Sequence, residues 1–235
     1  ELAMTDAATL TWLRKRIESS TNSDFTIFLA NLVSEVGGDE AVPILTRVAR
    51  DTNDPYVRAM MINILSLSDG RSDTVRKLCI QYLDDEDGQV RRAAVAGLEH
   101  VLGTHNEEFL AQALEMLEDP DVEVQAQVIP ALVQSGDFFY LSAAAQMLTY
   151  LLSEEVPAAM RSRAVRVLGE IGDARFIRNL VDYLTDPSDQ VRLEAAVAIE
   201  ALSKYEIHKR ILALVTGHLK ALRNDPVERV RRAAV

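Results

Sequence analysis

Cysteine is almost missing from this 235-residue chain. Cys79 stands alone between Leu78 and Ile80, which excludes an internal disulfide and a multi-cysteine metal site; it reads as a small buried hydrophobe. Such sparing use of cysteine fits a reducing, cytoplasmic setting. Aromatic residues make up 6% of the chain, so a core has to be built from aliphatic side chains and alanine. No stretch approaches the roughly 20 apolar residues that cross a bilayer, and no signal-peptide pattern is present. Histidine is scarce as well. His100, His105, His208 and His218 never form His-x-x-x-His or His-Glu-x-x-His, the spacings that put two zinc ligands on one helix face. Glycine-rich phosphate loops and a nucleophile elbow are also missing, and the adjacent acids Glu107-Glu108 and Glu154-Glu155 read as solubilising turn residues. Positive charge is in deficit, 25 basic against 36 acidic residues and a net of −11, and a surface of that sign repels nucleic-acid backbones and anionic lipid. The expectation is therefore no cofactor, no metal, no nucleic acid and no direct membrane insertion.

What the chain does have is one short phrase used repeatedly. Its clearest copies are Asp87-Gly-Gln-Val-Arg-Arg-Ala-Ala-Val-Ala-Gly-Leu98 and Asp186-Pro-Ser-Asp-Gln-Val-Arg-Leu-Glu-Ala-Ala-Val-Ala-Ile199. The apolar residue that opens each second helix is Phe25, Val57, Val90, Val124, Met160, Val191 and Val230, in steps of 31 to 39 residues. A period in the thirties marks a stack of similar helical units rather than one closed globule. Four residues after each opener stand Leu29, Met61, Ala94, Val128, Ala164, Ala195 and Ala234; eight after it stand Val33, Leu65, Leu98, Leu132, Leu168 and Ile199. Offsets 0, 4 and 8 trace one stripe of an α-helix, the face predicted to be buried.

Acidic turns precede these helices: Asp54-Pro55, Asp84-Asp85-Glu86-Asp87, Asp119-Pro120, Asp186-Pro187 and Asp225-Pro226. Proline costs no hydrogen bond in a first helical turn, and aspartate accepts the orphan amides there. Upstream partner helices are predicted at about 5–17, 39–50, 73–83, 106–117, 138–152, 174–184 and 206–222. Turns at Gly37-Gly38, Asp69-Gly70, Gly103, Ser135-Gly136 and Gly172-Asp173 close the second helices. Each unit is thus helix A, acidic turn, helix B, glycine turn. A lone pair cannot bury its apolar face, so the units have to stack. With no linker or composition break, residues 1–235 read as a single solenoid of about six full units and a cut one. The chain does not start with Met and Val235 falls inside a repeat helix, so it reads as a segment of a larger protein.

The run Val191-Arg192-x-x-Ala195-Ala196-x-x-Ile199, preceded by Asp186-Pro187 and by a helix ending Leu180-Val-x-Tyr-Leu184, resembles a HEAT repeat. It is similar as well to the shorter related repeats named after phycobilisome lyases, and the resemblance covers essentially the whole chain. It implies an all-α, right-handed α-solenoid of stacked antiparallel helix pairs, with A helices on the convex side and B helices lining a concave side that scaffolds other macromolecules. In such repeats the Arg after the opener pairs with turn carboxylates of its own or a neighbouring unit. Those positions hold Arg58, Arg91, Arg161, Arg192 and Arg231, with Thr26 and Gln125 as departures. With Asp54 and Asp87 on the carboxylate side, the expected role is a ladder that fixes stacking; an arginine row for an acidic ligand is the alternative. One HEAT enzyme class holds two irons with repeated His-Glu pairs, and no His-Glu dipeptide occurs here.

Function then has to sit where the repeat leaves residues unspecified, at B-helix offsets +2, +3, +6 and +9. Early units place Ile27, Phe28, Asn31, Ala59, Met60 and Asn63 there, apolar for a solvent face. Middle units place Arg92, Glu99, Gln127 and Pro130, and later ones Ser162, Arg163, Arg166, Leu193, Glu194 and Glu200. The candidate partner-binding residues are Ile27, Phe28, Met60, Asn63, Arg92, Arg163 and Arg166; packing against a neighbouring unit for Phe28 and Met60, and pairing with Glu170 for the two later arginines, are the competing readings. Pro130 removes the bond to the carbonyl of residue 126 and is predicted to kink its helix, with Phe138-Phe139-Tyr140 filling the space beside it. The expected function is a non-enzymatic protein–protein interaction scaffold whose partner is another protein or a neighbouring domain of the same chain. Two alternatives are a tetrapyrrole lyase or chaperone, for which Phe138–Tyr140 is the one candidate aromatic cleft, and a cytoplasmic regulatory solenoid of a larger transporter or signalling protein. Oligomeric state is not written in these residues.

Overall fold

A computed structural model describes residues 2–68, 73–173, 176–203 and 209–234; the Asp69-Gly70 turn, His208 and Val235 lie outside the described residues. Among the described residues every regular element is helical. The chain forms two compact units, Glu1–Met116 and Leu117–Val235. Unit 1 holds α1 (Leu2–Glu18), α2 (Ser23–Val36), α3 (Ala41–Asp51), α4 (Pro55–Ser68), α5 (Asp73–Tyr82), α6 (Gly88–Leu102) and α7 (Glu107–Glu115). Unit 2 holds α8 (Val122–Gln134), α9 (Phe138–Leu151), α10 (Ala158–Ile171), α11 (Ile177–Tyr183), α12 (Asp189–Ser203), α13 (Lys209–Leu222) and α14 (Glu228–Ala233). Odd-numbered helices are the A helices of the repeat and even-numbered ones the B helices.

Within each unit, B helices pack side by side and A helices cover them. In unit 1, α4 touches α2, α3, α5 and α6; in unit 2, α10 touches α8, α9, α11 and α12. This is the stacked-pair architecture of an α-solenoid. The predicted stripe is the core. All the offset +4 and +8 residues are buried, as are the openers Val57, Val90, Val124, Val191 and Val230, while Phe25 and Met160 are half-buried. Truncating one such leucine, Leu98 for example, to alanine is worth about 2–5 kcal/mol. Cys79 is fully buried, and burial pushes its thiol up. Two glycines let B helices approach closely. A Cβ on Gly97 would strike the Ser66 hydroxyl at 2.4 Å, and one on Gly169 would strike the Ala198 side chain at 2.7 Å and its Cα at 2.9 Å.

The turns before the helices supply caps, but of the Asp-Pro pairs only Asp54-Pro55 sits at a helix start; Pro120, Pro187 and Pro226 stand just before α8, α12 and α14. Asp87 accepts the amides of Gln89 and Val90, Asn106 those of Glu108 and Phe109, and Asp121 that of Glu123, each at a helix start. Gly172 ends α10 in the left-handed region at φ 76°, ψ 12°. Gly103 ends α6 with φ 87° but an extended ψ of 151°, so it turns the chain without forming that cap.

Two expectations fail. Offset +2 does not open to solvent in α4 and α10, where Ala59 and Ser162 are buried. A B helix is walled by its A helices and by a B helix on each side, so the open face is narrower than the sequence reading allowed. Second, two of the three aromatic residues fill no space: Phe138 is 82% and Phe139 63% exposed, and Tyr140 alone of the triplet is half-buried. Phe139 meets Tyr140 edge-on at 5.6 Å, and α9 shows Phe138, Phe139 and Tyr150 to solvent.

Candidate partner-binding surface

The repeated Val-Arg phrase builds rungs between successive repeats. Each opener-plus-one side chain first ties its own turn: Arg91 donates to the carbonyls of Asp85 (2.8 Å) and Glu86 (3.1 Å), Arg192 to that of Asp186 (2.8 Å), and Gln125 to that of Asp119 (2.7 Å). The arginine then reaches the aspartate of the next turn. Arg58 meets Asp85 at 2.8 Å, Arg161 meets Asp186 at 3.0 and 3.2 Å, and Arg192 meets Asp225 at 2.7 and 3.2 Å. These pairs are largely covered, with side-chain exposures of 18% or less. The Arg192 guanidinium, by its hydrogen bonds, holds the Asp225 carboxyl below the usual range.

Two of the carboxylates expected in the ladder do other work. Asp87 is spent on the amides of α6, and Asp54 accepts the Ser23 hydroxyl and the Tyr56 amide (2.9 Å). The rung carboxylates are the aspartates two residues further upstream, Asp85 in place of Asp87, because the capping aspartate is turned inward to its own helix. In the first repeat the opener-plus-one residue is Thr26, which bonds Ser20 and the Asn22 carbonyl, so the hydrogen bond from the Ser23 hydroxyl to the Asp54 carboxylate takes the place of the ion pair. That bond is the main reason the Asp54 carboxyl is held below its usual range.

The open face of unit 1 is apolar. Phe28 on α2 is 57% exposed and stacks on Phe25 with ring centres 6.3 Å apart; the Arg16 guanidinium sits 5.3 Å from the Phe25 centroid. Ile27, Met60 and Asn63 are half-buried, and Asn31 is exposed with its amide donating to the Ile27 carbonyl at 2.9 Å. Leu67, at offset +10 and two turns beyond Met60 on the same stripe of α4, is 72% exposed. The sequence reading stopped at offset +9 and missed it; extending the +3, +6 series by one more turn would have found it. Arg92 on α6 is exposed, and the raised carboxyl of Glu99 is the product of its burial alone.

The equivalent face of unit 2 is charged and already paired. Arg163 on α10 contacts Glu123 on α8 at 3.1 Å and Glu170 at 3.3 Å. Arg166 grips Glu194 on α12 with two bonds of 2.7 and 3.0 Å. The two candidate arginines are therefore brought together with carboxylates of their own unit, which leaves them poorly available to an acidic ligand.

A cavity of about 440 Å³ at the turn end of unit 1 is lined by Ser23, Arg47, Asp51, Thr52 and Asp54, and its polar groups engage one another through Ser23–Asp54 and Arg47–Glu18 (3.5 Å). Among the described residues no three His, Cys, Asp or Glu side chains gather to hold a metal ion, and no helix is long and apolar enough to cross a membrane.

No curated protein sequence matches the chain. Among solved structures, the YibA protein of E. coli is similar at 18% identity over 96% of this chain and 80% of its own, with a TM-score of 0.57. The CpcE–CpcF complex of phycocyanin lyase from Nostoc is similar at 20% identity over 82% of this chain and 74% of its own, TM-score 0.49. Human deoxyhypusine hydroxylase gives 20% identity over 96% of this chain and 81% of its own, TM-score 0.38. The first likeness speaks to fold alone, and the other two are too distant to bear on activity. The family model for HEAT repeats matches residues 10–99, 75–158, 108–203 and 145–235, an unbroken cover from residue 10 onward, and the chain belongs to the HEAT-repeat family.

Proposed function

We propose that the chain is a non-enzymatic protein-binding scaffold that engages its partner through the exposed B-helix strip of unit 1, Phe28, Met60 and Leu67 with Ile27 and Asn63 beside them. The single observation that carries this reading is the exposure of Phe28 and Leu67 on the adjacent B helices α2 and α4, at registers that α10 of unit 2 fills with the paired Arg163 and Glu170. Scattered exposed hydrophobes are ordinary, but a contiguous strip along stacked helices marks an interaction surface. Arg92 borders the strip on α6. Arg163 and Arg166 drop out of the binding set, because each is already held by carboxylates within unit 2.

The tetrapyrrole reading loses its support on the same page. A chromophore site has to bury most of its ligand. Phe138 and Phe139 lie on open surface and would leave a bound ring system in water. The test is a pull-down with the native chain and with Phe28→Asp/Met60→Asp. The scaffold reading expects loss of the partner in the variant at unchanged helicity, and equal recovery would sink it.

A further inference from the structure

The far end of the unit 1 strip has a charge pattern of its own. The C-terminal turns of α2, α4 and α6 lie side by side. The Ser34 and Ser68 hydroxyls hydrogen-bond between α2 and α4, and Gly97 of α6 is pressed against Ser66 of α4. Glu35 on α2 occupies the same repeat register as Leu67 on α4; on α6 that register holds the exposed His100, with Glu99 one residue before it, so the helices on both sides of α4 carry a carboxylate near this level. Neither carboxylate makes an ion pair or side-chain hydrogen bond among the described residues. Glu99 is half-buried as well, and that burial pushes its carboxyl above the usual range, the mark of a charge desolvated without a cation to offset it.

Arg58 is committed to Asp85, Arg91 to the turn carbonyls of Asp85 and Glu86, and Arg92 is likewise engaged, while His100 stands exposed beside Glu99. Unit 2 shows the contrast, since its strip carboxylates Glu123, Glu170 and Glu194 all have arginine partners. The overall field points the same way. Unit 1 carries 11 basic and 19 acidic residues, net −8, while unit 2 carries 14 and 17, net −3.

We propose that the unit 1 strip takes a basic amphipathic segment of a protein partner, with apolar side chains seated on Phe28, Met60 and Leu67 and cationic side chains reaching Glu35 and Glu99. This rests on the scaffold reading and adds the partner's chemistry to it. An amphipathic helix presents its apolar residues at i, i+3, i+4 and i+7, which matches a strip running along and across B helices, and its flanking lysines or arginines meet the carboxylates that the fold leaves unpaired. A long-range field of matching sign speeds the encounter and makes it salt-dependent.

The experiment is a fluorescence-anisotropy titration of the full chain with three labelled peptides that share leucines at helical spacing and differ in their polar residues, Lys, Gln or Glu. The Lys peptide is expected to bind at least tenfold tighter than the Gln peptide, and the Glu peptide least of all. E35Q/E99Q should weaken the Lys peptide about tenfold and leave the Gln peptide unchanged. E154Q/E155Q, the same change of charge in a turn of unit 2, should alter neither. Equal affinity for the Lys and Gln peptides, no binding of the Lys peptide, or the same loss in both double variants would overturn the charge-selective proposal. Leu67→Ser/Met60→Ser separates this from the reading beneath it. Loss of the Gln peptide in that variant upholds the apolar strip whatever the carboxylates do, whereas undiminished binding of every peptide removes the strip itself.

Discussion

Units 1 and 2 are spelled with the same repeat, yet they finish their open B-helix faces in opposite ways. In unit 2 the face is a closed electrostatic system, where Arg163 and Arg166 each find a glutamate on a neighbouring B helix. In unit 1 the register of Arg163 carries Phe28 and Met60, that of Arg166 carries Asn31 and Asn63, and that of Glu170 carries Leu67, with Glu35 and Glu99 on the neighbouring helices left without a cation. The stacking machinery is common to both, since Arg58–Asp85 in unit 1 and Arg192–Asp225 in unit 2 are the same rung. Conspicuous sequence signals in a repeat protein therefore report how it stacks, and the variable remainder sets the chemistry of its open face.

The sharpest way to break this comparison is at the rung. Arg58→Met and Arg192→Met should each cost about 3 kcal/mol in urea unfolding, because each strands a covered aspartate. A large loss in one unit and none in the other would mean that the rung is not shared. Acid should act on the same contact. The folded Asp225 carboxyl is held low, chiefly by hydrogen bonds from Arg192, so its stabilisation is complete above the unfolded value of about 4 and fades as pH falls through the lower folded value. Asp225→Asn should therefore lose less of its urea midpoint than the native chain does between pH 6 and pH 2.5, and equal losses would place the acid-labile contact elsewhere.

Smaller effects sharpen the contrast between the two faces. Arg166→Ala removes a pair whose arginine is 43% exposed, and should cost under about 1 kcal/mol in the same assay. Phe28→Ser in unit 1 and Phe138→Ser in unit 2 should each stay within about 0.5 kcal/mol of the native chain. A cost of several kcal/mol at Phe28 would show that it packs into the core instead of serving a partner.

Much of this was legible before any coordinates. The 0, 4, 8 stripe, the helix pairs, the acidic caps and the buried Cys79 follow from periodicity and turn chemistry, because these obey local rules. The ladder was legible in kind but not in partner. Asp85 and Asp87 are two residues apart in one turn, and only backbone direction decides which faces the arginine and which caps the helix. The open face was partly misread because a helix walled on three sides exposes a narrower arc than one lying on a single layer, which hides Ala59 and Ser162 and brings out Leu67. The Phe138–Tyr140 triplet was misplaced for a different reason. Aromatic character argues for burial on average, but nothing in an A-helix sequence says which turn its neighbours leave uncovered.

The account's central claim is that the partner sits on unit 1. A photoreactive phenylalanine placed singly at Leu67, Arg166 or Phe138 in the full chain tests it directly, by irradiation in cell extract. Capture of a defined partner from position 67, with none from 166 or 138, is the predicted result. Capture from 166 or 138 with position 67 silent would contradict it.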